Sequence, residues 1–242
     1  MTRISIRMAL IGLSIFLTGC DFHLPGKPIK KAELDIHSRE GFDRLYFVNC
    51  LGCHGPDGSH GPARPMNDSL YLAITPTTAL ESVITHGHGT LMPGFAKTPY
   101  SGIEDDGIVA LAKGMKTFWE GKPDDQPSVP AKRPQYAFKA GVGDATVGAG
   151  SFSTFCGSCH GSKGAGKADA AGSVVDESYL MLVSDQALRS TVLFGRIDLG
   201  CPSYLGPYPD QPAERTLTFA EIDDITAWLV SQRVSYSKEA TQ

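Results

Sequence analysis

The chain has 242 residues, a formal charge of −4 at neutral pH, 41% hydrophobic residues and 9% aromatic residues. That is enough apolar material for a packed core and too little net charge for a disordered polyelectrolyte. The acidic balance argues against a nucleic-acid partner, which needs a basic surface.

The N-terminus has Arg3 and Arg7 ahead of an apolar stretch from Met8 to Leu17, the pattern of a targeting segment and too short to span a bilayer comfortably. It ends in Leu17-Thr18-Gly19-Cys20, which resembles the lipobox of bacterial lipoproteins. That resemblance implies removal of residues 1–19 and a lipid on Cys20, with residues 20–37 as a tether. An ordinary signal peptide cut elsewhere is the alternative. In enteric lipoproteins an aspartate after the modified cysteine, here Asp21, disfavours the outer membrane, so the periplasmic face of the inner membrane is expected. Loss of the two leader arginines moves the formal charge to −6, which favours a partner with a basic docking face.

Residues 38–49 carry Phe42, Leu45, Tyr46 and Val48, an imperfect stripe that predicts a helix. It leads into Cys50-Leu51-Gly52-Cys53-His54 and a glycine-rich loop from Gly55 to Pro65. Short helices are expected at Ser69-Leu70-Tyr71-Leu72 and, with Thr75 as N-cap before Pro76, at Ala79-Leu80-Glu81-Ser82. Ser101-Gly102-Ile103-Glu104 reads as a capping box opening a last helix. Gly121 to Pro134 holds four prolines and reads as a semi-rigid linker.

The same order then recurs. A helix over 144–155, weakened by Gly148 and Gly150, leads into Cys156-Gly157-Ser158-Cys159-His160, 106 residues after the first motif. A glycine-rich loop, Gly161 to Gly172, is followed by Ser178-Tyr179-Leu180-Met181 and, behind an N-cap at Ser184, by Ala187-Leu188-Arg189-Ser190. Thr218-Phe219-Ala220-Glu221 is a second capping box.

Two cysteines three apart with a histidine directly after them form the attachment signature of c-type haem. Each pair adds sulfur to the two vinyl groups of a porphyrin, and His54 or His160 ligates its iron from the proximal side. Zinc sites and redox dithiols also use such pairs, but neither requires a histidine after both. Two covalent haem c groups are expected, on Cys50, Cys53 and His54 and on Cys156, Cys159 and His160.

With matching elements on both sides of each motif, the chain resembles the diheme cytochrome c family, two class I cytochrome c domains in tandem. The resemblance implies an all-α fold, domains at 38–120 and 144–236, and a proline-rich linker at 121–143. Leu91-Met92-Pro93-Gly94-Phe95, following Gly87, is similar to the family's methionine loop and implies Met92 as sixth iron ligand. Packing of Met92, or ligation by His86 or His88, are the alternatives. In the matching loop Cys201 precedes Pro202, six steps after Gly195 where Met92 is five after Gly87. The Cys201 thiolate is expected on the second iron, stabilising its ferric state. A buried free thiol, an open site and Met181 are the other readings. Met66 and Met115 are expected in the core or at the surface, and His23, His37 and His60 in solvent.

These residues allow a membrane-tethered carrier of single electrons, with both irons saturated and no catalytic acid or base. They also allow an enzyme of sulfur-anion oxidation, like thiosulfate dehydrogenases, with Arg189, Arg196, Lys163 and Lys167 drawing an anion to Cys201. In the dehydrogenases of that likeness the cysteine-ligated haem is in the first module. A diheme peroxidase is a third reading, which requires an accessible iron.

Overall fold

The computed structural model describes residues 34–59, 61, 63–89, 92–99, 102–119, 130–212 and 214–233. The leader, Cys20, His23, His60, Leu91, Ser101 and the start of the linker, 120–129, lie outside the described residues. The chain divides into two units, Met1–Leu34 and Asp35–Gln242, and the second holds every element named below. Among the described residues all regular elements are helices, and extended pairing is confined to isolated bridges. No helix of the described residues is long and apolar enough to cross a membrane.

The first half holds α1 (Arg39–Asn49), α2 (Leu51–His54), α3 (Ser69–Ile74), α4 (Thr77–His86) and α5 (Asp105–Trp119). The second repeats that order as α6 (Ala145–Phe155), α7 (Gly157–His160), α8 (Glu177–Leu182), α9 (Asp185–Phe194) and α10 (Phe219–Ser231). Caps explain most of the starts. Ser38 accepts from the Gly41 N–H before α1, Asp144 from Thr146 and Val147 before α6, and Ser184 from Ala187 before α9. The capping box at Thr218 and Glu221 opens α10.

Two expected starts are corrected. Thr75 closes α3 instead of opening α4, because the residue before a proline is driven to extended backbone; Pro76 takes the N-cap place. Helix α5 begins at Asp105, not behind Ser101. Gly102 to Glu104 are non-helical, since the Ile103 N–H donates to the Phe95 carbonyl at 2.8 Å and its side chain is buried. The Glu104 carbonyl then accepts the first helical bond, from Ile108.

In each half the first and last helices cross beside the cysteine motif. In the first, Phe42 of α1 fills the space over Gly114 of α5, and Trp119 meets Phe42 and Tyr46 edge-on at 5.2 and 4.9 Å. In the second, a Cβ at Gly148 of α6 would overlap the Asp224 backbone of α10, and Phe152 lies 4.3 Å from Trp228. Gly148 is thus a point of close approach, whereas Gly150 faces open space.

Helix α3 belongs to both cores. Leu72, fully buried, packs with Phe42, Leu80 and Leu111, while Leu70 and Ile74 join Phe152, Leu188 and Phe194 of the second half. The described linker residues bind as well: buried Arg189 ion-pairs with Asp223 at 2.5 Å and donates to the Gln135 and Tyr136 carbonyls. Arg133 donates to the Ala73 carbonyl of α3 at 2.9 Å.

Candidate functional site

Helix α1 runs almost without break into the first motif. The Cys50 N–H donates to Tyr46 at 2.8 Å, the His54 N–H to Cys50 at 3.0 Å, and Gly55, at φ 75°, stops the turn. Cysteine, cysteine and histidine therefore stand at i, i+3 and i+4 of one helical face. The second motif has the same bonds, from Cys156 to Phe152 at 2.8 Å and from His160 to Cys156 at 2.9 Å, with Gly161 at φ 74°.

Cys50, Cys53, Cys156, Cys159 and Cys201 are all free thiols. Burial pushes Cys50 up to about 11 and Cys156 up to about 12, so both are neutral before reaction. Among the described residues no cluster of three or more His, Cys, Asp or Glu could hold a metal ion alone, so neither pair has the donor set of structural zinc. Burial also pulls His54 below its ordinary value, which keeps its imidazole neutral and able to ligate. Its Nδ1 is buried without a partner among the described residues. In the second motif His160 Nδ1 lies 3.0 Å from the Gly172 carbonyl, a bond that places the proton on Nδ1 and leaves Nε2 as the donor. Paired thiols, a neutral imidazole and glycine-rich loops fit covalent haem c.

Downstream, the two halves share a hydrogen-bonded frame. Gly87, at φ 80°, and Gly195, at φ 65°, end α4 and α9. An antiparallel bridge follows each: His88 with Met92, through bonds of 3.0 and 3.3 Å, and Arg196 with Cys201, through 2.9 and 3.0 Å. Beyond them Phe95 bonds Ile84 at 2.8 Å, and Tyr204 bonds Leu193 at 3.1 Å. Met92 and Cys201 therefore hold the same place. The extra residue of the second loop is absorbed by the 3-10 turn Ile197–Leu199 and by left-handed Gly200.

Cys201 is partly buried. Burial pushes its thiol up, and the Arg196 backbone and the charges of Arg64 and Arg196 act against that push. It stands near enough to Cys156 and Cys159 for their charges to be felt. Met181, the alternative donor, is 65% exposed. In the first half Met115 is in the core and Met66 packs against it. His86 Nδ1 is 3.0 Å from the Ser82 carbonyl of its own helix, and His37 pairs with Asp106.

Of the cations considered for anion attraction, Arg189 is spent on Asp223, Arg196 chelates Asp198, and Lys167 donates to the Ser158 carbonyl. A residue that sequence reasoning missed also reaches the loop. Arg64, in the glycine-rich segment of the first half, donates to the Gly195 carbonyl of the second at 3.0 Å. Its only local signal is a cation in an otherwise small-residue stretch, which does not disclose a partner 131 positions away.

Residues 40–113 match the family model for cytochrome c oxidase, cbb3-type, subunit III. No curated protein matches the chain. Among solved structures, the as-isolated thiosulfate dehydrogenase (TsdBA) from Marichromatium purpuratum is similar at 18% identity with a TM-score of 0.30, covering 89% of this chain and 50% of that one. The present chain thus spans half the length of that protein. The family match makes residues 40–113, from within α1 to within α5, similar to a cytochrome c domain, and such a domain implies covalently bound haem c and electron transfer.

Proposed function

We propose that the chain is a diheme c-type cytochrome that passes single electrons between redox proteins. A lipid on Cys20 tethers it to the periplasmic side of a bacterial membrane, the inner rather than the outer. The observation that carries this reading is the repeated frame: the same backbone bonds surround both cysteine-histidine turns and both bridged loops.

In this reading Cys50 and Cys53 would hold the first haem and Cys156 and Cys159 the second, with His54 and Met92 as donors to the first iron and His160 and Cys201 to the second. When bound, each haem supplies reversible one-electron exchange at its iron. The protein does the tuning. The Gly172 carbonyl holds the His160 imidazole in one tautomer, and the packed Phe42, Tyr46 and Trp119 rings fix the helix that leads into the first motif. A neutral thioether at Met92 favours ferrous iron, and an anionic thiolate at Cys201 favours ferric iron. The acidic surface charge suits partners with a basic docking face.

Protein matured outside the cytoplasm is expected to carry two haems by intact mass and to titrate in two well-separated one-electron steps. One haem would overturn the diheme reading. Two steps at the same high potential would remove Cys201 from the iron.

An enzyme oxidising sulfur anions at Cys201 is the second reading. The pairing of Arg189 and Arg196 with carboxylates leaves it less supported than the carrier. Turnover of thiosulfate with ferricyanide, abolished in Cys201→Ala, would restore it.

A further inference from the structure

The peptide joining Gly195 to Arg196 is engaged at both ends. Its N–H donates to the Cys201 carbonyl at 2.9 Å and closes the bridge of the second loop. Its carbonyl accepts from Nη2 of Arg64, a residue of the other half of the molecule, at 3.0 Å. The guanidinium is held over two rings, 5.4 Å from the centre of Phe194 and 5.9 Å from that of Tyr71, which meet edge-on at 5.2 Å. A longer contact, 3.5 Å, reaches the Ser190 carbonyl one turn earlier in α9. Arg64 thus grips the C-terminal end of α9, where a cation also complements the helix dipole, at the peptide that fixes Cys201.

The contact has no mirror image. Arg64 stands two residues before Met66, whose N–H bonds Gly58; the matching N–H, of Val174, bonds Gly164, and the residue two before it is Gly172. Glycine has no side chain to reach back to the loop of Met92. The loop of Met92 therefore receives no matching grip from Gly172 among the described residues.

We propose that Arg64 is a positioning residue for Cys201, through which the first module sets the ligand loop of the second. The inference rests on the reading of Cys201 as a sulfur donor to the second iron. Pulling the Gly195 carbonyl toward Arg64 orients the plane whose N–H anchors Cys201, and so sets where its sulfur stands. Changes in the glycine-rich loop of the first module would be transmitted to the second haem through this contact.

The test is low-temperature EPR and a spectroelectrochemical titration on full-length, two-haem protein bearing Arg64→Met. Methionine keeps an unbranched, flexible apolar stem that can lie on the rings while removing charge and donors, a replacement that buried sites tolerate. Arg64→Leu serves under the same criteria should the first variant lose haem. The expected result is a changed g-spread for the second haem and a change of about tenfold in its ferric preference, ~59 mV for one electron, with the first haem unmoved. Unchanged signals from both haems, or equal shifts in both, would overturn the positioning role and leave Arg64 as interface packing. Cys201→Ala separates the two levels of argument. If it leaves the second haem's spectrum unaltered, the ligand reading itself fails; if it alters the spectrum and Arg64→Met does not, only the positioning role fails.

Discussion

The two halves solve one packing problem in opposite ways. Each must bring its first and last helices close enough to cross beside the cysteine motif. In the first half the gap is on α5, at Gly114, and a side chain, Phe42, fills it from α1. In the second the gap is on α6, at Gly148, and the backbone of α10 at Asp224 enters it. The loops show the reverse economy, with equivalent bridges carrying different sulfur side chains, Met92 and Cys201. The geometry of the frame is therefore set by main-chain bonds, and the side chains that differ adjust the chemistry it holds.

The strongest way to break the comparison is to make the donors alike. Cys201→Met is expected to raise the second haem's potential into the range of the first, collapsing two titration steps into one band. Unmoved potentials would mean that Cys201 does not bind iron. The crossings come next. Gly148→Ala is expected to cost about 3 kcal/mol, because its methyl meets backbone, and Gly114→Ala about 2 kcal/mol, because there the methyl meets the side chain of Phe42. Denaturant unfolding of the holoprotein measures both, and equal costs would erase the distinction.

Smaller effects sharpen the contrast at the helix starts. Thr218→Ala removes the capping box of α10 and is expected to cost about 1 kcal/mol in the same assay. The smallest effect is that of pH at α6. Bonds from the Thr146 and Val147 N–H groups hold the Asp144 carboxyl below its ordinary 3.8. A depressed folded value means that the cap's contribution is whole above the unfolded value and is lost as pH falls through the folded one. Asp144→Asn keeps the cap and should flatten that acid limb; an unchanged acid-melting curve would assign it to other carboxylates.

The cysteine-histidine turns, the caps at Ser184 and Thr218, and the equivalence of Met92 with Cys201 were legible because each is written within a dozen residues. Local rules failed at the start of α5, where Gly102 to Glu104 stay non-helical as Ile103 bonds Phe95, and at Thr75, where the following proline governed. Gly148 read as a weakness of α6 because its partner, α10, begins about 70 residues later. Arg64 and the sharing of α3 were hidden for the same reason. Both are contacts between the halves, and no periodicity or motif in either half alone encodes them.

Because Leu72 faces one core while Leu70 and Ile74 face the other, the short segment from Ser69 to Ile74 acts as a party wall. Cutting the polypeptide between its two modules would leave that wall with a bare oily side on one fragment and a roofless interior on the other. Neither piece should survive as a well-behaved solitary protein, and the two should melt together as one.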